Sequence, residues 1–296
     1  MNFILGAGIS AIILKLYDKD NKYKILGEKL GGQLNSEFKL GPRILKRTEE
    51  SETFVKNYLK NKKIDQFFIG YFYEGFFHDY CEDYFRKLYF EKTRGYKKSF
   101  ENSSMNDNNN IINGFNIEKD DVSLLCELVE NHFINENVLK IDVINKTIET
   151  NKNIFQYDKI INTIPANIFN KLCNFDSDIQ YEKTYFYKVR KQEVIYNDRF
   201  DFVYYPENHI ECHRATKIDN EYLCIEVMEK NNTNKFNTQS NLFILNTGHL
   251  KSDSNLVFCN DDIINFGRYA VASHNIRMHD VISFAYQHFK EKKWIK

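Results

Sequence analysis

Near the start of the chain, Gly6-Ala7-Gly8-Ile9-Ser10-Ala11 spells a Gly-x-Gly-x-x-small turn between an apolar tetrapeptide, Asn2-Phe3-Ile4-Leu5, and the helix-like run Ile12-Ile13-Leu14-Lys15-Leu16. Strand, glycine turn and helix in that order make the entry of a dinucleotide-binding βαβ unit. Gly6 permits a tight turn, Gly8 lets the backbone approach a pyrophosphate, and Ala11 is small enough for close packing of helix on strand. The helix N-terminus adds free N–H groups and the positive end of a dipole. Glycines also serve ordinary turns, so the position between strand and helix carries this inference. Tyr23-Lys24-Ile25-Leu26 reads as the second strand, and Glu28 is the acidic residue at its end, where a ribose hydroxyl pair would be held.

Other side chains offer less. His209 and His213 fall in alternating segments, and each is either an acid–base group near neutral pH or a structural histidine. His78 with Asp79, Glu82 and Asp83 forms one helix face of mixed charge with no second ligand cluster, so no metal is expected. Tyr185, Tyr187, Tyr204 and Tyr205 either line a pocket or fill a sheet core. The six cysteines contain no Cys-x-x-Cys pair, which points to reduced thiols and a cytoplasmic protein rather than a disulfide frame.

The elements that must position these groups follow from periodicity. With 296 residues the chain can build one large domain or two intertwined ones around a real core. Its 41 basic and 41 acidic residues balance, which gives no electrostatic reason to expect nucleic acid or an anionic membrane as partner. No apolar run approaches the roughly 18 residues of a membrane span. Helical spacing marks residues 52–59, and the aromatic stretch from Phe67 to Phe90 is expected to be helical as well. Residues 103–113 read as a polar loop, and Asp120 is the expected cap of a helix through Phe133. Residues 138–144, 147–150 and 153–157 suggest a small antiparallel meander. Tyr157 to Pro165 reads as a buried strand ended by proline, with a helix over 166–174. A larger antiparallel sheet is expected from 184–191, 200–205, 209–216 and 222–227, then a strand over 255–258 and a closing helix over 280–290.

Four separated segments resemble the flavin-dependent amine oxidoreductase family, in the branch shared by protoporphyrinogen-oxidase-like proteins and UDP-galactopyranose mutase. The opening glycine turn with Leu30-Gly31-Gly32-Gln33-Leu34 is similar to that family's Gly-x-Gly turn and later Gly-Gly stretch. Phe38-Lys39-Leu40-Gly41-Pro42-Arg43 is similar to a strand lying against the flavin. Tyr157-Asp158-Lys159-Ile160-Ile161-Asn162-Thr163-Ile164-Pro165 is similar to another family strand, and Tyr204-Tyr205-Pro206-Glu207 with His213-Arg214-Ala215-Thr216 to a strand pair. Phe266-Gly267-Arg268-Tyr269 with Met278-His279-Asp280 resembles the closing signature, in which a glycine–arginine turn touches the cofactor pyrophosphate and the last helix points at the isoalloxazine.

The resemblance implies an α/β protein with a Rossmann-type FAD-binding domain (1–50, 111–165 and 245–296) and a second, substrate domain of antiparallel sheet plus helices (51–110 and 166–244). It implies FAD as cofactor and a small-molecule substrate that gives hydride to flavin N5. The implied cofactor contacts are Gly6, Gly8, Ser10, Ala11, Glu28, Gly31, Gly32, Gln33, Gly41, Pro42, Arg43, Thr163, Pro165, Gly267, Arg268, His279 and Asp280. Arg43, Arg214 and His213 are the implied catalytic or substrate-gripping groups, with an ordinary internal ion pair as the alternative for the arginines. Two other readings stay open: a flavin-dependent nucleotide-sugar mutase without net redox, and a non-catalytic binding protein on a degenerate flavin fold.

Overall fold

The computed structural model describes residues 1–35, 43–59, 62–93, 110–233, 235–236, 242–250, 257–273 and 276–291, so Gly41 and Pro42 lie outside the described residues. Elements are numbered along the chain. The apolar opening forms β1 (Asn2–Leu5), and the glycine turn leads into α1 (Ile9–Tyr17) and then β2 (Tyr23–Gly27). β1 pairs in parallel with β2 on one side and with β11 (Lys159–Asn162) on the other. β7 (Phe133–Asn135) extends the sheet beyond β2, and β17 (Ile263–Asn265) extends it beyond β11, giving the order β17-β11-β1-β2-β7. The order reverses between β1 and β11, and in doubly wound sheets ligands bind beyond the carboxyl ends of the strands at such a reversal.

Both faces of this sheet are covered, which explains why its strands read as continuous apolar runs. On one face Ile4, Tyr23, Ile25 and Ile161 pack against α1, α2 (Glu49–Tyr58), α4 (Lys119–Val129) and α6 (Met278–Glu291). On the other, Phe3, Leu5, Leu26, Ile160 and Ile263 pack against α5 (Ala166–Leu172) and the expected meander. The meander is the antiparallel set β8 (Val138–Asp142), β9 (Thr147–Thr150) and β10 (Ile154–Gln156). Lys15 closes the turn from α1 to β2: its buried ammonium donates to Asp18 Oδ2 (2.8 Å), and that carboxylate accepts the Lys22 and Tyr23 N–H groups.

The second sheet is separate and larger. Its order is β16 (Leu242–Leu250), β12 (Tyr181–Arg190), β15 (Tyr222–Met228), β14 (Arg214–Lys217), β13 (Phe202–Tyr204), β4 (Asp65–Tyr73), β6 (Ile111–Asn116) and β3 (Ile44–Lys46). All its pairs are antiparallel except β13 with β4. A parallel nucleotide-type sheet with a separate antiparallel sheet is the α/β arrangement expected from the sequence.

Several local expectations are corrected. The first half of the aromatic stretch is strand, with β4 turning into β5 (Phe76–His78), and helix begins only with α3 (Asp83–Thr93). The hairpin runs through Glu74 and Gly75, both at positive φ (52° and 82°), as a tight hairpin turn between twisted strands requires. Aromatic residues suit a pleated, half-buried surface at least as well as a helix. The cap expected at Asp120 falls on Glu118, whose N–H donates to Asp121 Oδ2 (2.7 Å), and the helix stops at Val129 so that Phe133 can enter β7. Residues 257 and 258 are not in a strand; the fifth parallel strand is 263–265, where pairing with β11 is available. Residues 111–113 belong to β6 rather than a loop, β14 begins only at Arg214, and β16 was not foreseen. β3 and β6, grouped above with the nucleotide unit, both pair into the second sheet. No helix among the described residues is long and apolar enough to cross a membrane.

Candidate functional site

All five parallel strands end at one edge, and four of them are followed by an expected site residue: Gly6 after β1, Glu28 after β2, Thr163 after β11 and Gly267 beyond β17. Gly6 adopts φ +92° and donates its N–H to Leu26 O (2.9 Å), turning the chain across the neighbouring strand. A β-carbon there would lie 2.6 Å from Thr163 Oγ1. Thr163 is itself fixed, because its N–H and hydroxyl both donate to Leu5 O (2.8 and 2.7 Å). The Gly31–Gly32 turn seats on the first one: Gly31 N–H donates to Ala7 O (2.8 Å), and a β-carbon on Gly32 would lie 3.1 Å from Gly8 Cα. Gln33 follows in a single 3-10 turn (Gly32–Asn35). Glu28 is exposed at the end of β2.

Gly8 behaves differently from its neighbours. It is the N-cap of α1 with φ −78°, no side chain caps the helix, and the first turn holds no acidic residue. A β-carbon on Gly8 would meet nothing within 4 Å. The helix therefore presents its positive end to open space, and Gly8 keeps that space open without any conformational need for glycine. Ala11 is fully buried beneath the turn, as close helix–sheet packing requires.

The closing segment arrives at the same place. A β-carbon on Gly267, at φ +92°, would lie 2.7 Å from Ser10 Oγ in the first turn of α1. Two buried or half-buried asparagines hold the approach, since Asn162 Nδ2 donates to Asn265 Oδ1 (2.8 Å) and Asn162 Oδ1 accepts the Ile164 N–H (2.9 Å). Phe266 N–H donates to Asn162 O (2.8 Å), which hands the chain from β17 into Gly267 and Arg268. Pro165 caps α5, and Ala166 N–H donates to Tyr269 O (2.9 Å), so the turns after β11 and β17 are tied together. Arg268 is half-buried, with its guanidinium carbon 5.7 Å from the Tyr269 ring centre.

The last helix starts beside this edge, where Phe266, Ile276 and Met278 pack into one core with Ile9, Leu30 and Leu34. Asp280, in the first turn, reaches back across the helix start: its Oδ2 accepts the Arg277 N–H (2.8 Å). His279 is half-buried, and burial pulls its ring pKa below the usual histidine value against the opposing pull of Asp280.

Two of the expected catalytic groups, Arg214 and His213, collect elsewhere, around Glu226 on the second sheet. Arg214 and Glu226 stand opposite each other on β14 and β15. Arg214 Nε donates to Glu226 Oε1 (2.6 Å) and Nη2 to Oε2 (2.7 Å), a bidentate pair in which the carboxylate is buried and the arginine half-buried. Arg214 holds the Glu226 carboxyl down to about 2 despite burial, which acts the other way. Of the two readings of Arg214, the internal ion pair is the one its contacts match, because β-sheet register sets a carboxylate directly across from it. His213 is 1% exposed with Nε2 3.7 Å from Glu226 Oε2, and burial pulls its pKa down, so its ring is sealed and neutral. Arg43 precedes β3 and is 6% exposed. Desolvation pulls the Arg43 guanidinium down.

The open alternatives at the other side chains resolve by burial. Tyr187 and Tyr205 fill the core behind the sheet, and Tyr185 packs against it, whereas Tyr204 stands on the Arg214 face. His209 is exposed in the β13–β14 connection, and His78 stacks on Tyr73 (4.2 Å) in a hairpin rather than on a helix face. No group of residues that could hold a metal ion occurs among the described residues. Sequence reading missed Asn162, Asn265 and Glu226. A polar residue at the end of an apolar strand is the signal for the asparagines, while Glu226 becomes visible only once register puts it opposite Arg214.

No protein-family model matches the chain, and no curated protein matches it. Solved structures do match. A CLA-producing fatty acid isomerase from P. acnes is 10% identical, with a TM-score of 0.67 over 98% of this chain and 98% of that one. A redesigned putrescine oxidase is 8% identical, with a TM-score of 0.60 over 98% of each chain. A flavoprotein/dehydrogenase from Cytophaga hutchinsonii is 11% identical, with a TM-score of 0.55 over 100% of this chain and 79% of that one. At such identities the likeness is one of fold: a parallel sheet joined to a separate antiparallel sheet in a mixed α/β chain.

Proposed function

We propose that the protein is an FAD-dependent oxidoreductase acting on a small polar molecule. One observation carries this reading: the first turn of α1 and the closing turn at Gly267 meet at the carboxyl edge of the parallel sheet, around a glycine with open space in front of it. The residues fit the cofactor. Gly6, Gly8, Ser10 and the uncapped N–H groups of α1 suit a pyrophosphate, and Gly31, Gly32 and Gln33 border the same turn. Arg268 would add the planar fork that matches phosphate oxygens. Glu28 ends the strand where a ribose diol is held in dinucleotide sites.

When bound, the flavin would supply the hydride acceptor. The chain's own residues would bind and orient. The start of α6, with its backbone N–H groups beside His279, would offer donors to a flavin edge that gains negative charge. Thr163, Asn162 and Asn265 would hold the cradle in shape. The amine class of substrate belongs to this proposal through the sequence resemblance alone. The engaged fork of Arg214 argues against the mutase reading, which needs that arginine for a diphosphate.

A visible absorption spectrum of the purified protein tests the assignment, followed by anaerobic titration with candidate amines and other small reductants. Flavin absorbance that bleaches with substrate and recovers in air is the expected result. A Gly8→Asp variant should fold yet lose the colour, because a carboxylate would stand before the helix N-terminus. Wild-type colour in that variant, or a colourless parent after incubation with FAD, overturns the proposal.

A further inference from the structure

Lys92, at the end of α3, is a fully buried ammonium that the proposed reaction does not use. Its Nζ donates to four main-chain oxygens: Tyr205 O (2.9 Å), Glu207 O (2.8 Å), Ile210 O (2.6 Å) and Cys212 O (2.8 Å). All four belong to the connection between β13 and β14. Three N–H groups serve four acceptors, so one bond is shared. Burial pulls the Lys92 pKa down to about 8, and the nearby Cys212 and Glu207 act against it. The four inward carbonyl dipoles offset the loss of water that a buried ammonium would otherwise suffer. A ring of carbonyl oxygens around one point is the donor set of a monovalent cation, here filled by a tethered one.

The same loop ends at the polar face described above. Tyr205 N–H donates to His213 O (3.0 Å) and closes the loop at its foot, directly beside the Tyr204–Arg214 pair of β13 and β14. Tyr89, one turn before Lys92 on α3, packs edge-on against Tyr204 (5.2 Å between ring centres, 83°) and lies 6.2 Å from the His213 ring. Arg214 stands 5.8 Å from the Tyr204 ring and grips Glu226. We infer that Lys92 is a positioning residue: as an internal cation it turns the 205–212 carbonyls inward and thereby sets the Tyr204, Arg214 and Glu226 side chains on the sheet. The inference stands independently of flavin binding.

The test reads Arg214 itself. In nitrogen-15 spectra of the labelled protein, the Arg214 Nε–H signal, assigned by its loss in Arg214→Lys, reports the bidentate pair without any cofactor. Lys92→Met keeps the apolar stem and removes the charge. The expected outcome is a shifted Arg214 signal whose solvent exchange is faster by about tenfold or more, since a weakened pair opens more often. In Lys92→Ala, propylammonium replaces the lost fragment and should restore the parent signal, whereas propanol, of similar size and uncharged, should not. A folded Lys92→Met protein with the Arg214 signal unmoved overturns the inference, as does equal rescue by propanol. If Lys92→Met does not fold, refolding of Lys92→Ala decides: recovery with propylammonium alone supports the role, and recovery with both additives or neither overturns it.

Discussion

Gly267 faces Ser10 so closely that a β-carbon on the glycine would lie 2.7 Å from the serine Oγ. The two residues come from opposite ends of the chain, and the contact means that the nucleotide turn is complete only when the last strand has joined the sheet. β17 pairs with β11, the Asn162–Asn265 bond fixes the exit, and Gly267 at φ +92° bends the chain onto α1.

Gly267→Ala should therefore be costly in two separable ways. Positive φ strains any L-residue by about 1–3 kcal/mol. The added methyl also collides with Ser10. Pairing it with Ser10→Gly should recover the steric share and leave the backbone share. Chemical denaturation of the two single variants and the double should show a coupling energy on the order of 1 kcal/mol; strict additivity would mean that the turns do not touch.

Gly6 and Gly8 look alike in the sequence and should respond in opposite ways. Gly6 sits at φ +92° with Thr163 Oγ1 2.6 Å from its virtual β-carbon, so Gly6→Ala should lose about 2 kcal/mol or more of stability. Gly8 sits at φ −78° facing open space, so Gly8→Ala should cost no more than about 1 kcal/mol, the ordinary penalty of alanine at an N-cap. Its effect should fall instead on retention of added FAD, read by ultrafiltration and absorbance. Equal losses of stability at the two positions would contradict the geometry.

The difference between these glycines shows which part of the fold was legible. The glycine turn, its flanking strand and helix, the meander and the antiparallel sheet over 181–229 could be read because each is a local pattern. The hairpin of β4 and β5 was misread as helix because aromatic residues satisfy both periods, and only the paired positive φ at Glu74 and Gly75 decides. β17 is too short to announce itself; it is a strand because β11 offers it an edge. At the candidate site, the spacing pointed to Gly6 and Gly8, and the resemblance alone pointed to Gly267 and Arg268, which the fold brings to the same sheet edge. The Arg214–Glu226 pair was not, because it depends on register between strands separated by a turn.

That pair makes its own prediction. Arg214→Met leaves Glu226 buried without its cation, a loss of about 3–5 kcal/mol for a broken buried pair. Arg214→Met with Glu226→Leu removes both charges and should return to within about 1–2 kcal/mol of the parent, since apolar replacements of buried pairs are often neutral. Equilibrium denaturation of the cycle checks this. A double variant no more stable than the single one would show that the pair is needed for more than charge balance.

Acid titration gives the sharpest reading of the same pair. Glu226 has an ordinary carboxyl value of 4.5 when unfolded and is held down to about 2 when folded, chiefly by Arg214 working against burial. Above pH 4.5 the carboxylate is charged in both states, and the stability it brings is fully present. Between 4.5 and 2 the unfolded chain takes up the proton first, so stability falls with falling pH and the contribution is gone below about 2. The drop over that window should be on the order of 3 kcal/mol. His213 is the competing titration: its buried ring resists charging, so its own loss starts as pH falls through the ordinary histidine range, and the histidine is present in both proteins compared below. The unfolding free energy of the parent should thus fall more steeply below pH 4.5 than that of the Arg214→Met, Glu226→Leu protein. Parallel curves for the two proteins would mean that Glu226 titrates at its ordinary value and that the bidentate pair does not hold in solution.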